Sequence, residues 1–276
     1  MTKKGYNYLV LMDFSEASYI ALKYIITVAK VVKGNIHVLH IANPEKIIGS
    51  ENAVVVLREI TDESEKIESK LTAIVEIIEA EGVDAQYQFF FVKKTRMLRE
   101  LIGEINPDLI VVGKKKEKPK FSGRFTSFLQ HKYSGSVLII SKEAEFQPDT
   151  QISMECYNAI ADNHDPKMAF ELDKHTDSEI LLIPLDDLSK PKEEFFSKET
   201  WRSLEKKIQK LRLEGSSDSE RVIRILKHLL VNKTELLCIG RGERKTPLHN
   251  FFFGRSSTIS KIVKEVNIPI LILDDD

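Results

Sequence analysis

The sequence predicts two α/β domains in tandem, each a doubly wound, mostly parallel sheet of five strands with helices on both faces. Two observations lead to this prediction. Apolar strands alternate with amphipathic helices along the chain, and the ending of the first half recurs in the second. DLIVVG (108–113) precedes a basic loop, a helix and SVLIIS (136–141), while ELLCIG (235–240) precedes a basic loop, a helix and IPILIL (268–273). A repeated strand–loop–helix–strand ending indicates two homologous domains.

In the first domain the predicted strands are short and almost wholly apolar, as expected of strands that helices cover on both faces. The first helix has an apolar stripe at helical spacing, from which Glu16, Lys23 and Lys30 are absent. Short loops between alternating elements predict a parallel sheet with right-handed crossovers. The predicted strands are 8–12, 36–41, 85–92, 109–112 and 136–141, and the helices are 15–32, 55–81, 95–105 and one ending near 133.

The polar, proline-containing stretch KEAEFQPDT (142–150) predicts an inter-domain linker. We therefore expect domains at 1–142 and 151–276, joined by residues 143–150. The second domain has far fewer residues between its second and third strands, so we expect a shortened domain. Its predicted strands are 151–159, 180–184, 207–213, 235–240 and 268–273, and its helices are 166–175, 199–206, 217–230 and 251–266.

Composition narrows the class of protein. With 42% hydrophobic residues, 30% charged residues and a formal net charge of −1, the chain of 276 residues has no excess positive charge for binding nucleic acid. No stretch is long and apolar enough for a membrane span, and the opening residues do not form a signal peptide pattern. Cys156 and Cys238 fall in predicted strands without metal-ligand spacing, which indicates buried thiols of a cytoplasmic protein.

The segment LVLMDFSEASYIALKYIITVAK (9–30), the strand IHVLHI (36–41) and the two repeated endings resemble the universal stress protein family. The resemblance extends over almost the whole chain as a tandem pair. It implies two Rossmann-like domains of the adenine nucleotide alpha hydrolase type. Members of that family carry an Asp at the end of the first strand, matched by Asp13. They also carry G-x2-G-x9-G-(S/T) between the fourth strand and the last.

Both copies of this glycine motif are altered. In the first domain lysines occupy the place of the second glycine, and an arginine stands where Ser or Thr is expected. In the second, one glycine arrives early and an arginine is inserted before the serines. The matching or replacing residues are Gly113, Gly123, Arg124 and Thr126 in the first domain, and Gly240, Gly242, Gly254, Ser256 and Ser257 in the second.

Glycines allow backbone N–H groups to converge on phosphate oxygens, and a helix that begins at Gly-Ser adds further donors. The lysines and arginines of the altered loops would hold an anion more loosely, or they are solvated surface charges. For Asp13 two roles stay open. With Ser15 and Ile41 it would contact adenine or ribose, or it caps the helix that follows. Asp162 is the nearest counterpart in the second domain.

The resemblance implies a non-catalytic stress-response protein that binds ATP or AMP and signals through a protein partner not yet identified. A slow ATPase and a ligand-free adaptor remain alternatives. His37 and His40 face opposite sides of one strand, so they cannot share a metal, and no other metal or catalytic motif is evident. The resemblance also implies that the last strands of the two domains pair within the chain as a pseudo-dimer, which is able to form a further homodimer.

Overall fold

The computed structural model describes residues 5–44, 52–91, 95–114, 129, 133–141, 144–155, 164–165, 167–183, 217–240 and 258–275. The chain divides into two compact units, the first comprising residues 1–126 and 135–146, the second residues 127–134 and 147–276. The predicted helix 199–206, the strand 207–213 and Cys156 lie outside the described residues. The same is true of nearly all of the helix predicted to end near 133.

The first unit is a five-stranded parallel sheet with the strand order β3-β2-β1-β4-β5. Each predicted strand is present with its ends moved by at most two residues. The strands are β1 (Tyr6–Met12), β2 (Gly34–Ala42), β3 (Ala85–Phe91), β4 (Leu109–Gly113) and β5 (Ser136–Ile140), and the helices are α1 (Glu16–Val32), α2 (Ala53–Ala80) and α3 (Thr95–Ile105). The α/β fold that the sequence predicts is confirmed.

Helix α1 begins at a cap that the sequence supplies. The hydroxyl oxygen of Ser15 accepts a hydrogen bond from the backbone N–H of Ser18 at 3.3 Å, which satisfies one of the unpaired donors of the first turn. At the other end Lys33 adopts a left-handed φ of 58°, and its N–H bonds to the carbonyl of Ala29. The apolar face of α1 is buried against the sheet.

The close approach of β4 to α1 depends on a glycine. A Cβ atom added to Gly113 would lie 2.2 Å from the carbonyl oxygen of Ala17 and 2.8 Å from the nitrogen of Ser18. Both are backbone atoms of the first turn of α1 and cannot move aside as a side-chain tip can. Gly113 therefore has a packing role that is independent of any ligand.

The second unit contains a four-stranded parallel sheet in the order β10-β9-β6-β8 among its described residues. A short antiparallel pair, β7 with β11, was not predicted from the sequence. The strands are β6 (Ile152–Glu155), β7 (His164–Asp165), β8 (Leu181–Ile183), β9 (Leu236–Ile239), β10 (Ile270–Ile272) and β11 (Asp274–Asp275), and the helices are α4 (Lys167–Asp173), α5 (Ser217–Val231) and α6 (Thr258–Glu265). None of the helices described in either unit is both long and apolar enough to cross a membrane.

The two units repeat one strand junction in detail. The N–H of Asn7 donates to the carboxylate of Asp108 at 2.7 Å, and the N–H of Gln151 donates to the carboxylate of Glu235 at 3.1 Å. The return bonds, from the N–H of each acidic residue to the carbonyl of its partner, are both 2.9 Å. The register then pairs Tyr8 with Leu109 and Ile152 with Leu236, so positions in the two units can be matched by counting.

That register reveals a difference in the core. Ser153 and Glu155 occupy the positions of Leu9 and Leu11, so an apolar strand face in the first unit becomes polar in the second. The hydroxyl of Ser153 lies 2.7 Å from that of Thr234 and 3.1 Å from Nε2 of His228. All three residues are buried. Helix α5 is thus held on β6 by polar contacts as well as by apolar packing.

We expect Gly113→Ala to destabilise the protein by about 1–3 kcal/mol, because the added methyl group overlaps the first turn of α1. Gly103→Ala is the matched control. Gly103 lies inside α3, a Cβ there would meet no atom within 4 Å, and Ala should stabilise the helix by about 0.5–1 kcal/mol. Urea denaturation of both variants measures the difference. Equal stabilities for the two would contradict the packing role of Gly113.

We also expect the stability to fall as the pH drops below about 6.5. Burial lowers the pKa of His228 from its ordinary value of 6.5, so the unfolded chain takes up a proton there that the folded chain resists. The stabilising contribution is complete above the unfolded pKa and is lost below it, at a rate of up to about 1.4 kcal/mol per pH unit for one proton.

His228→Leu should reduce this pH dependence between pH 7 and pH 5, since Leu101 occupies the matching position in the first unit. Burial also lowers the pKa values of His37 and His40, so in His228→Leu these two residues still contribute to the fall in stability at low pH. Denaturant titrations at each pH measure the free energy of unfolding. If its change between pH 7 and pH 5 is the same in His228→Leu as in the wild type, His228 is not the source of the pH dependence.

Candidate functional site

The topology of the first unit places a crevice at the carboxyl ends of β1 and β4. The chain passes from β1 to β2 on one side, whereas β4 lies on the other side of β1. In open α/β sheets this switch point is where ligands bind. The register brings Asp13, which follows β1, beside Ile41 of β2 and next to the end of β4 at Gly113.

Asp13 organises the turn between β1 and α1. Its Oδ1 accepts hydrogen bonds from the backbone N–H of Ser15 at 3.2 Å and from the hydroxyl of Ser15 at 2.5 Å. The N-cap of α1 is Ser15, so Asp13 does not cap the helix itself. It holds the residue that does. Asp13 is exposed at the crevice.

Phe14 occupies an unusual position between these two residues. Its φ of 58° is in the left-handed region, which is uncommon for a bulky side chain. Its ring packs on that of His40, with centroids 4.5 Å apart, and the ammonium of Lys70 lies 5.1 Å from the ring centroid. This aromatic and cation–π stack stabilises the strained turn.

His40 is held in one tautomer. Its Nδ1 lies 2.7 Å from the carbonyl oxygen of Met12, which can only accept, so Nδ1 carries the proton. Burial lowers the pKa of His40 and the charge of Lys70 acts in the same direction, while the bond to Met12 and the charge of Glu63 oppose them. The neutral ring therefore ties the ends of β1 and β2 together. From the sequence, His40 was interpreted as a strand-end residue typical of the family and as half of a pair that cannot share a metal, and neither Phe14 nor Lys70 was predicted at the site.

Gly113 and Ile41 complete the described part of the crevice. Gly113 ends β4 against α1, and the N–H of the next residue, Lys114, donates to the carbonyl of Ile140 at 2.7 Å. Ile41 is half-buried at the end of β2. Seven of the predicted site residues lie outside the described residues and stay a prediction: Gly123, Arg124, Thr126, Gly242, Gly254, Ser256 and Ser257.

The carboxyl edge of the second sheet is built differently. Counting from the paired strands, the position of Asp13 corresponds to Tyr157, which like Asp162 lies outside the described residues. Gly240 is buried directly after β9. Glu155, at the end of β6, is 1% exposed and faces α5, where Arg221 contacts its carboxylate through two nitrogens at 2.7 and 2.5 Å. The guanidinium of Arg221 also donates to the carbonyl of Gly240 at 2.9 Å.

Two other groupings have the composition of a reactive site without its geometry. Ser153, His228 and Asn232 form a chain of hydrogen bonds that resembles a hydrolytic triad. Ser153 is fully buried, however, so no substrate reaches its hydroxyl. Cys238 is also buried, and burial raises the pKa of its thiol, so it is inert as a nucleophile. Among the described residues no cluster of His, Cys, Asp and Glu is able to hold a metal ion.

No protein of curated function matches the chain by sequence. The structure is similar to that of a universal stress protein from Archaeoglobus fulgidus, with a TM-score of 0.65 and 16% identity over 99% of this chain and 97% of the other. A protein of unknown function from Pseudomonas aeruginosa gives a TM-score of 0.57 and 14% identity, covering 98% and 92% of the two chains.

A putative universal stress protein from Pseudomonas aeruginosa is also similar, with a TM-score of 0.54 and 14% identity over 97% of this chain and 92% of the other. At these identities the likeness concerns the fold, and it extends over both units. The sequence model of the universal stress protein family matches residues 7–141, which contain the whole described crevice of the first unit. Residues 7–141 are therefore similar in sequence to the universal stress protein family.

Proposed function

We propose that the protein binds an adenine nucleotide, ATP or AMP, at the carboxyl edge of the first sheet and acts by binding a protein partner rather than by catalysis. One observation carries the proposal. At the switch point an exposed residue with a carboxylate, Asp13, lies next to the end of β4, a strand that ends in glycine. A carboxylate accepts hydrogen bonds from adenine or ribose, and the carboxyl end of the neighbouring strand borders the same crevice.

The turn that carries Asp13 supports this proposal because it is rigid. Ser15 holds the carboxylate by two hydrogen bonds, and the Phe14–His40–Lys70 stack fixes the backbone between them. A ligand group that is already held in place loses little conformational freedom on binding. The turn is thus built to present an acceptor at a fixed point of the crevice.

Binding without turnover is proposed because the described crevice presents no arrangement for activating water. The two hydrogen bonds from Ser15 orient the carboxylate of Asp13 as an acceptor for the N–H and O–H groups of a ligand, which is a binding role. A nucleotide held in this way would act as a signal, by changing the surface around the crevice that a protein partner contacts. We place this activity in the cytoplasm.

We further propose that the second unit is a domain of the same type whose ligand site has changed. Its strand junction repeats that of the first unit bond for bond. Its carboxyl edge, in contrast, carries the Glu155–Arg221 pair at Gly240. We therefore assign adenine recognition to the first unit.

A ligand-free adaptor is the second candidate, and one observation favours it. Gly113 is required by the packing of α1, and Asp13 is required by the turn before it. These two residues would therefore be retained for folding even if no nucleotide bound. Direct titration separates the two candidates.

We expect ATP or AMP to bind the purified protein saturably in isothermal titration calorimetry. Asp13→Ala should abolish binding, whereas Asp13→Asn keeps an acceptor for Ser15 and loses the charge, so it should weaken binding by at least about tenfold. Asp62→Asn, on the exposed face of α2, is the matched control and should bind like the wild type. Heat that is equal for Asp13→Ala and the wild type would place the nucleotide elsewhere, and no heat at all would favour the adaptor.

We expect no release of phosphate from ATP, because the proposed role of the crevice is binding alone. A coupled phosphate assay with magnesium, run over hours at saturating ATP, measures this. Phosphate release that disappears in Asp13→Ala and persists in Asp62→Asn would establish a slow ATPase in place of the proposed binding protein.

A further inference from the structure

Strand β3 forms the outer edge of the first sheet. The order β3-β2-β1-β4-β5 places it at one end, and among the described residues no other strand pairs with it on its outer side. The strand is seven residues long, from Ala85 to Phe91. Because each strand of a sheet bonds to its neighbours on two sides, an edge strand leaves half of its backbone N–H and C=O groups without a partner in the sheet.

The register with β2 shows which backbone groups of β3 point outward. The N–H of Ile36 in β2 donates to the carbonyl of Asp84 at 2.9 Å, and Ile36 lies opposite Ala85. In a parallel pair, the residues of one strand that bond to the neighbouring strand alternate with residues that point away from it. The backbone groups that point away from β2 are therefore those of Ala85, Tyr87, Phe89 and Phe91. None of them bonds to another residue in the described part of the chain.

The residues of β3 do not protect this edge. Proteins commonly guard an open sheet edge with charged side chains, proline or a bulge. The strand, AQYQFFF, has no charged residue and no proline, and its pairing with β2 is continuous from end to end. The ring of Tyr87 stands over the face of the sheet, since its hydroxyl oxygen lies 3.2 Å from that of Thr72 in α2. The edge is thus uncharged and regular, as a strand that pairs with another strand is.

We propose that this edge binds a second copy of the chain, whose β3 pairs with the first in antiparallel orientation about a two-fold axis at Gln88. With the axis at the middle residue of the strand, Tyr87 lies opposite Phe89 of the second copy. Ala85 lies opposite Phe91 of the second copy in the same way. All four outward-facing residues of each copy then exchange bonds with the other, which gives about eight new hydrogen bonds. The two sheets become one continuous sheet.

A second copy fits this edge because β3 is complementary to itself. Residues that lie directly opposite in an antiparallel pair have their side chains on the same face, so Tyr87 packs against Phe89 of the second copy. Aromatic cross-strand pairs stabilise a sheet, and the two-fold axis forms this pair twice. Phe89 already packs edge-to-face on Phe91, with ring centroids 6.0 Å apart. No like charges of the two strands are brought together, because no residue of β3 is charged.

Sedimentation velocity of the full-length protein, over about a hundredfold range of concentration, measures the association. We expect a reversible dimer. Hydrogen exchange at low and high concentration then locates the interface, because the N–H groups of Tyr87 and Phe89 should exchange more slowly in the dimer. Those of Gln86 and Gln88 already point towards β2 and should be unaffected.

Two results of these measurements would overturn the proposal. A chain that stays monomeric over the whole range does so, and it leaves the edge to a strand of another protein. A dimer in which exchange at Tyr87 and Phe89 is unchanged does so as well, because a different surface must then hold the copies together. Association is measured without nucleotide, so this interface and the nucleotide site of the first unit fail or succeed separately.

A charge exchange at Gln88 tests the position of the two-fold axis. Gln88 is exposed, so a charged residue there should not disturb folding, but two like charges that meet at the axis oppose pairing. Gln88→Lys and Gln88→Glu should each weaken association by at least about threefold, and a mixture of the two should restore it. Ala73→Lys, on the exposed side of α2, is the matched control and should associate like the wild type. Wild-type association of Gln88→Lys, or a mixture no stronger than either variant alone, would overturn the proposal.

Proline at position 89 tests the backbone bonds themselves. The N–H of Phe89 points outward, so Phe89→Pro removes a bond to the second copy and none to β2. Phe89→Ala removes the same ring and keeps the N–H, so comparison of the two variants isolates the backbone contribution. We expect association at least about tenfold weaker for Phe89→Pro than for Phe89→Ala, with thermal melts confirming that both are folded. Equal association of the two folded variants would exclude strand pairing at this edge.

Discussion

The contact between the end of β4 and the first turn of α1 is the constraint on which the candidate site depends. Gly113 approaches the carbonyl of Ala17 so closely that no side chain fits between them. That approach fixes where α1 begins relative to the sheet, and hence where Ser15 and Asp13 lie. The crevice at the switch point is therefore a product of backbone packing first and of side-chain chemistry second.

The second unit keeps the strand pairing of the first unit and changes the residues on the strand face. The junctions at Asp108 and Glu235 are the same, which shows that the strand pairing itself is preserved. The face of β6 that meets α5 carries a serine and a glutamate in place of two leucines. Burying such groups costs free energy unless every one is paired, and here Thr234, His228 and Arg221 provide the partners. Pairing on this scale fixes the position of α5 more narrowly than apolar packing alone would.

The sequence was sufficient for the fold because each element carries its own signal. The strand 109–113 is apolar and ends in glycine, and the helix 95–105 was predicted with the bounds that it has. Asp13 and Gly113 were predicted from the family resemblance, which places an Asp after the first strand and a glycine at the end of the fourth. The ends of a parallel sheet's strands meet at one edge, so position along the chain was enough to place these residues together.

The remaining features depend on contacts between distant residues. Arg221 is 66 positions from Glu155, and their pairing follows from the phase of α5 over β6, which no local pattern specifies. Lys70 reaches Phe14 from the middle of a long helix of which only a narrow stripe is buried. A glutamate that ends an apolar strand, together with arginines three residues apart on one helix face, was a signal that the sequence did contain. Its meaning required the register of the sheet.

A glutamate buried beneath an arginine changes the chemistry of the second edge without changing the strand pairing. At the first edge the carboxylate of Asp13 belongs to an exposed residue, whereas at the second the carboxylate of Glu155 is buried and paired with Arg221. An exposed carboxylate can accept hydrogen bonds from the N–H and O–H groups of a ligand, whereas one that a guanidinium already holds through both oxygens is committed to the protein. The two edges therefore differ in the groups they can offer a ligand, although the strand junctions below them are the same. The difference needs a change on two elements at once, Glu155 on β6 in the place of Leu11 and Arg221 on α5 to pair with it, because a buried glutamate without a partner would destabilise the sheet.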